Sequence, residues 1–322
     1  MLKYPMPFRI RLTLIFFALL LLFAVTVPLI VPVPELKTVP VRQLAPQNAR
    51  YAEASVALHY TESGDAPPTL LLLHGFGSST FSWRKVTEPL GRTARTVAFD
   101  RPGFGFSERP AVTETLNPYT PEAQSTLTLE LMDALEIEQA VLVGHSAGAA
   151  VAVEVALAHP ERVAGIVLVS PVLRSGGPSA LVRAVFNTPQ ARRVGPYIVR
   201  QFAEEPGLDL LRRNYADPST LTDADIAGYQ RPFGATNWDQ ALWEVTRANR
   251  PTDLSPRLGE LQGPVLVVAG TEDEIVPLEQ QQRVAEAVGG EIEVLEGCGH
   301  ALQDECPGRF VEAVTPWLEG LQ

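Results

Sequence analysis

From Tyr51 onward, short apolar runs alternate with longer segments of helical period, and few folds accept that pattern. A short apolar run suits a strand buried on both faces, and a helix between two such runs returns the chain to begin a parallel neighbour. Strands are expected at 69–74, 96–100, 140–144, 166–170, 265–269 and 292–295, with an opening hairpin over 52–62. Helices are expected at 121–135, 147–159, 278–288 and 307–318, with Pro121 and Pro307 placed as helix starters. The alternation stops between 171 and 261, where amphipathic stretches replace strands and the sheet resumes afterwards. The body therefore reads as an α/β core over 51–170 and 262–322, interrupted by a helical cap.

The N-terminal segment has a different character. Residues 12–33 carry no charge, and their length matches the roughly 20 residues needed to cross a hydrocarbon core. A short basic stretch, 1–11, precedes them with Lys3, Arg9 and Arg11, and a Pro-rich linker, 34–50, follows as a semi-rigid spacer. The run continues through Pro28, Leu29, Ile30, Val31 and Pro32, which favours an uncleaved transmembrane anchor over a cleaved signal sequence and a secreted body. Basic residues before the span place the N-terminus in the cytoplasm and the body on the other side, an asymmetry weakened by Lys37, Arg42 and Arg50. The chain has 26 Lys and Arg against 37 Asp and Glu, for a net charge of −11. Such a surface does not displace counterions from phosphates, so no nucleic-acid partner is expected.

The chemistry-bearing motif is Gly144-His145-Ser146-Ala147-Gly148, where the 140–144 strand meets the next helix. A tight strand-to-helix turn pushes the Ser146 hydroxyl out of the sheet, and Gly144 and Gly148 remove side chains that would strike neighbouring backbone. Serine is a weak nucleophile and needs a base held by a carboxylate. Of the histidines, His300 lies in a Gly-rich loop after a late strand, whereas His59, His145 and His159 read as structural. The carboxylate is expected in the loop after the 265–269 strand, with Asp273 preferred over Glu272 and Glu274.

In this order, Ser146 then Asp273 then His300, the chain resembles the α/β-hydrolase fold superfamily. His74-Gly75-Phe76-Gly77 is similar to the family's oxyanion loop, and Asp100-Arg101-Pro102-Gly103-Phe104-Gly105-Phe106-Ser107 to its turn after the fourth strand. The resemblance implies a mostly parallel eight-stranded sheet flanked by helices, with the backbone N–H groups of Phe76 and Ala147 as oxyanion donors. It implies no cofactor and no metal. Gly103-Phe104-Gly105 lacks the third glycine of a nucleotide loop, since Glu108 stands there, and Cys298, His300 and Cys306 lack a fourth metal ligand. The two cysteines are expected as free buried thiols, with a disulfide around the His300 loop as the alternative for an exported body.

Serine at the elbow, where related epoxide hydrolases and haloalkane dehalogenases carry aspartate, points to acyl transfer. The first expectation is an esterase or monoacylglycerol-lipase-like enzyme acting on a small hydrophobic ester or lipid. Phe186, Tyr197, Phe202, Tyr215, Tyr229, Phe233, Trp238 and Trp243 are available to roof its pocket or to form the cap's own core. The alternatives are a carbon–carbon bond hydrolase of meta-cleavage products, a cofactor-free haloperoxidase or perhydrolase, and a ligand receptor on the same fold. Oligomeric state is not legible in the sequence.

Overall fold

The computed structural model describes residues 8–321. Eight strands form one sheet: β1 (Arg50–Glu53), β2 (Ala57–Ser63), β3 (Thr69–Leu73), β4 (Arg95–Phe99), β5 (Ala140–His145), β6 (Val163–Val169), β7 (Val265–Gly270) and β8 (Glu291–Leu295). Across the sheet the order is β1-β2-β4-β3-β5-β6-β7-β8. Pairing is antiparallel for β1–β2 and β2–β4 and parallel from β4 to β8. Leu70 to Leu73 on β3 and Val141 to Val143 on β5 are almost wholly buried, because helices cover both faces of these central strands. That explains why their sequences read as continuous apolar runs rather than as alternation.

An apolar helix α1 (Phe8–Ile30) precedes the body. Among the described residues it is the one helix long and apolar enough to cross a membrane, with a mean hydropathy of 2.7 in its most apolar window. The helix includes most of the apolar run 12–33 and stops at Ile30, because Pro32 disfavours helical backbone at Val31. The linker is not a free spacer. Val39 forms a bridge with Ala235, donating N–H to Gly234 O (3.0 Å) and accepting from Thr236 N–H (2.8 Å), and Arg42 pairs with Glu108 (3.0 Å).

On the core, α2 (Pro121–Ala134) and α3 (Ala147–Ala158) pack together. Between β6 and β7 come α4 (Ala180–Phe186), α5 (Pro189–Val199), α6 (Glu205–Arg212), α7 (Asp223–Gln230) and α8 (Trp238–Ala248). A two-stranded antiparallel pair, Arg174–Ser175 with Thr252–Asp253, closes this insertion at its base, a feature too short for periodicity to signal. Trp238 and Trp243 are buried in a cluster with Phe104, Val199 and Leu242, against which Phe186, Phe202 and Phe233 also pack. The core is completed by α9 (Leu278–Val288) and α10 (Pro307–Glu319).

The turn after β4 is tied together by a buried carboxylate. Asp100 accepts from the N–H groups of Thr80 and Phe106 (both 2.6 Å) and faces His59 Nδ1 at 2.7 Å. Gly105 is required here, since it has φ +49° and a Cβ would lie 2.0 Å from the Asp100 carboxylate. Burial alone would raise the Asp100 pKa, but the His59 contact and the Thr80 N–H outweigh it and hold it down at about 2. Asp100→Ala would leave several buried donors without an acceptor, so a loss of about 3–5 kcal/mol is expected, read as a lower urea midpoint at unchanged slope.

Candidate active site

Ser146 occupies the turn between β5 and α3 with φ 52° and ψ −119°, a left-handed conformation that a serine adopts only when its surroundings enforce it. The enforcement is steric. A Cβ on Gly148 would lie 2.2 Å from Leu73 O, and one on Gly144 would lie 2.6 Å from Ala149 Cα. The turn can therefore press against β3, with Ser146 N–H donating to Val169 O (2.9 Å).

Asp273 and His300 meet at the ends of β7 and β8. His300 Nδ1 lies 2.9 Å from Asp273 Oδ2 and 3.1 Å from Oδ1, and both side chains are buried. Asp273 Oδ1 also accepts from the N–H groups of Ile275 (2.9 Å) and Val276 (2.8 Å), and Oδ2 from Gln281 (3.2 Å). Burial would raise the Asp273 pKa, but His300 and the Val276 N–H outweigh it, and the carboxyl sits below its ordinary range. Glu272 and Glu274 are exposed to solvent, so of the three acids Asp273 alone holds the imidazole. Ser146 and His300 line one cavity of about 520 Å³, and no hydrogen bond links Ser146 Oγ to the imidazole.

Phe76 and Ala147 line the same cavity, and neither N–H has a backbone acceptor among the described residues. Gly75 gives this loop room, since a Cβ there would come within 3.1 Å of both His145 Nδ1 and Ser146 Cβ. His74 and His145 hold the walls. His74 Nδ1 donates to Gly75 O (2.7 Å), and its Nε2 accepts from Arg101 N–H (3.0 Å). His145 Nε2 donates to His300 O (3.0 Å), holding the His300 backbone from behind. Burial, seconded by Arg101 for His74 and by His300 for His145, pushes both imidazoles down to about 3.

Cys298 and Cys306 form a disulfide, so the expectation of free thiols is corrected. The reason is spatial: the His300 loop turns back into the short helix Leu302–Glu305, which brings the two Cα atoms to 6.3 Å. Of the aromatic candidates, Phe202, Tyr229 and Phe233 line the cavity, joined by Leu208, Leu210 and Leu211, whereas Tyr197 faces outward.

Sequence reasoning missed two cavity groups. Arg101 is 5% exposed, and its guanidinium has no hydrogen bond or ion pair among the described residues, only the Phe104 ring at 5.4 Å. Burial lowers its pKa to about 10. Gln303, fully buried on the same cavity, also lacks partners for both polar atoms. The residue type was visible in the motif after β4, but its lack of a partner is a property of the fold.

Residues 70–313 match a family model described as the alpha/beta hydrolase family. An uncharacterized hydrolase, YugF, of Bacillus subtilis strain 168 is 32% identical over 265 residues, 81% of this chain and 93% of that protein. The 2-hydroxy-6-oxononadienedioate/2-hydroxy-6-oxononatrienedioate hydrolase of Paraburkholderia xenovorans strain LB400 is 31% identical, over 83% of this chain and 92% of its own. Among solved structures, the meta-cleavage product hydrolase CumD of Pseudomonas fluorescens IP01 superposes with a TM-score of 0.64 at 25% identity, covering 85% of this chain and 98% of that one.

Two predictions arise from this geometry. Below pH 6.5 the unfolded histidines take protons that native His74 and His145 refuse until about pH 3. Their contribution to stability is therefore complete above pH 6.5 and is lost as pH falls toward 3, which urea midpoints across that window will show as a steady decline. Asp273→Asn should leave the melting temperature near that of the parent but lower kcat by about 10⁴-fold, because the amide selects the wrong imidazole tautomer.

Proposed function

Since the chain belongs to the alpha/beta hydrolase family, we propose that it is a serine hydrolase of carbonyl substrates bearing a carboxylate, and that it cleaves a carbon–carbon bond in a vinylogous oxo-acid. The observation that carries this reading is the Arg101 guanidinium, buried on the cavity that holds Ser146 and His300 and left without a protein anion. An uncompensated buried cation is costly, and a substrate carboxylate supplies the missing partner. The relatives named for dienedioate and meta-cleavage product hydrolysis support the same substrate class.

In this mechanism His300 takes the Ser146 proton as Oγ bonds to the ketone carbon, and Asp273 stabilises the imidazolium. The oxyanion receives the N–H groups of Phe76 and Ala147, each donor being worth about 2.7–4 kcal/mol. The dienol first shifts its 2-hydroxyl proton to the carbon beside the ketone, so that when the carbon–carbon bond breaks its electron pair delocalises into the vinylogous 2-oxo group, whose oxygen takes the proton held by His300. Water, deprotonated by His300, then releases the acyl group from Ser146 as a second acid.

A second reading, hydrolysis of a hydrophobic carboxylic ester, is favoured by the cap side of the cavity, where Phe202, Leu208, Leu211 and Phe233 offer an apolar wall. The same serine chemistry serves, with an alkoxide as leaving group.

Turnover of 2-hydroxy-6-oxo-6-phenylhexa-2,4-dienoate and of p-nitrophenyl butyrate should be compared for the parent and Arg101→Gln. The expected result is a fall of about 10²-fold in kcat/KM on the dienoate, a change of less than about threefold on the ester, and no loss of melting temperature. A parent that turns over only the ester would install the second reading, and equal losses on both substrates would make Arg101 a structural residue.

A further inference from the structure

The cap carries a surface that the reaction does not use. Leu181 (76% exposed), Val185 (53%), Tyr197 (49%) and Ile198 (59%) stand outward from α4 and α5. No acidic residue occurs between Glu161 and Glu204, although the chain is acidic as a whole, and of the six arginines in this interval Arg183, Arg192 and Arg193 lie on α4 and α5. None of these three arginines forms an ion pair among the described residues. Apolar and cationic side chains together are the composition of a helix that lies on an anionic membrane surface.

Its position argues for the same partner. Gln190 Nε2 donates to Val25 O (3.1 Å), Arg193 Nη2 to Val31 O (3.2 Å) and Arg200 Nη1 to Pro34 O (2.6 Å), so α5 lies along the C-terminal end of α1 and the start of the linker. If α1 spans a bilayer, Ile30 marks the interface. Val25 is five residues inside it, or about 7.5 Å at 1.5 Å per residue, which is within the roughly 5–10 Å depth of interfacial helices.

We propose that the α4–α5 face docks on the surface of an anionic phospholipid bilayer beside the α1 anchor. The proposal rests on the reading of α1 as membrane-spanning. Docking sets the cap's orientation: α6, which supplies Leu208, Leu210 and Leu211 to the cavity, follows α5 after one short turn, so the apolar wall of the site is held close to the lipid.

The test uses the full chain reconstituted in phosphatidylcholine vesicles with and without phosphatidylglycerol, with alkaline-carbonate extraction and hydrogen exchange over 180–199 measured on the same samples. The proposal expects resistance to extraction, together with exchange at 180–199 slowed at least tenfold when phosphatidylglycerol is present. It also expects that slowing to be lost in both Leu181→Asp and Arg192→Glu, with turnover of a water-soluble substrate unchanged. Resistance to extraction with the same exchange in both lipids would overturn the docking while leaving the anchor reading intact. Release on extraction would remove the anchor reading and the docking with it. Slowing that survives both substitutions would also overturn the proposal.

Discussion

The close approach of the β5–α3 turn to β3 is the constraint on which the site depends. Gly148 sits where any side chain would strike Leu73 O, and Gly144 where one would strike Ala149. Because both contacts are met by hydrogen atoms alone, the backbone can hold Ser146 at positive φ and turn its hydroxyl toward the cavity. The same approach sets the N-terminus of α3 beside the loop after β3, so the N–H groups of Ala147 and Phe76 border one space. Backbone geometry, rather than any single side-chain contact, brings these two residues to the cavity.

Around that frame the buried polar groups divide by whether the protein satisfies them. Asp100 and Asp273 are supplied with donors, and His74 and His145 are held neutral by burial and fixed in one tautomer by backbone partners. These groups lock loops in place. Arg101 and Gln303 on the cavity wall have no such supply. An open guanidinium on the cavity wall is what the proposed carboxylate-bearing substrate requires.

Much of this was legible in the sequence because it rests on local constraints. The 3.6-residue and short-run patterns located the sheet and its helices, and Gly144-His145-Ser146-Ala147-Gly148 at a strand-to-helix junction located the elbow. Asp273 was preferred to Glu272 and Glu274 with support from the resemblance, and the structure supplies the physical difference, burial against His300. What was not legible depends on non-local packing. The Cys298–Cys306 bridge needs the chain to double back after His300, the linker's attachment needs the Gly234 and Thr236 backbone, and the isolation of Arg101 needs every neighbour to be placed. The division of the aromatics between cap core and cavity wall is non-local too, since Trp243 and Phe202 look alike to a periodicity argument.

The central claim is that Ser146 is an activated nucleophile within this arrangement. The most direct test is to react the folded chain with a fluorophosphonate probe and map the modified residue by mass spectrometry, with Ser146→Ala in parallel. The account predicts one adduct, on Ser146, absent from the variant. An unmodified Ser146 in a protein that still melts cooperatively, or an adduct that persists in Ser146→Ala, would contradict it.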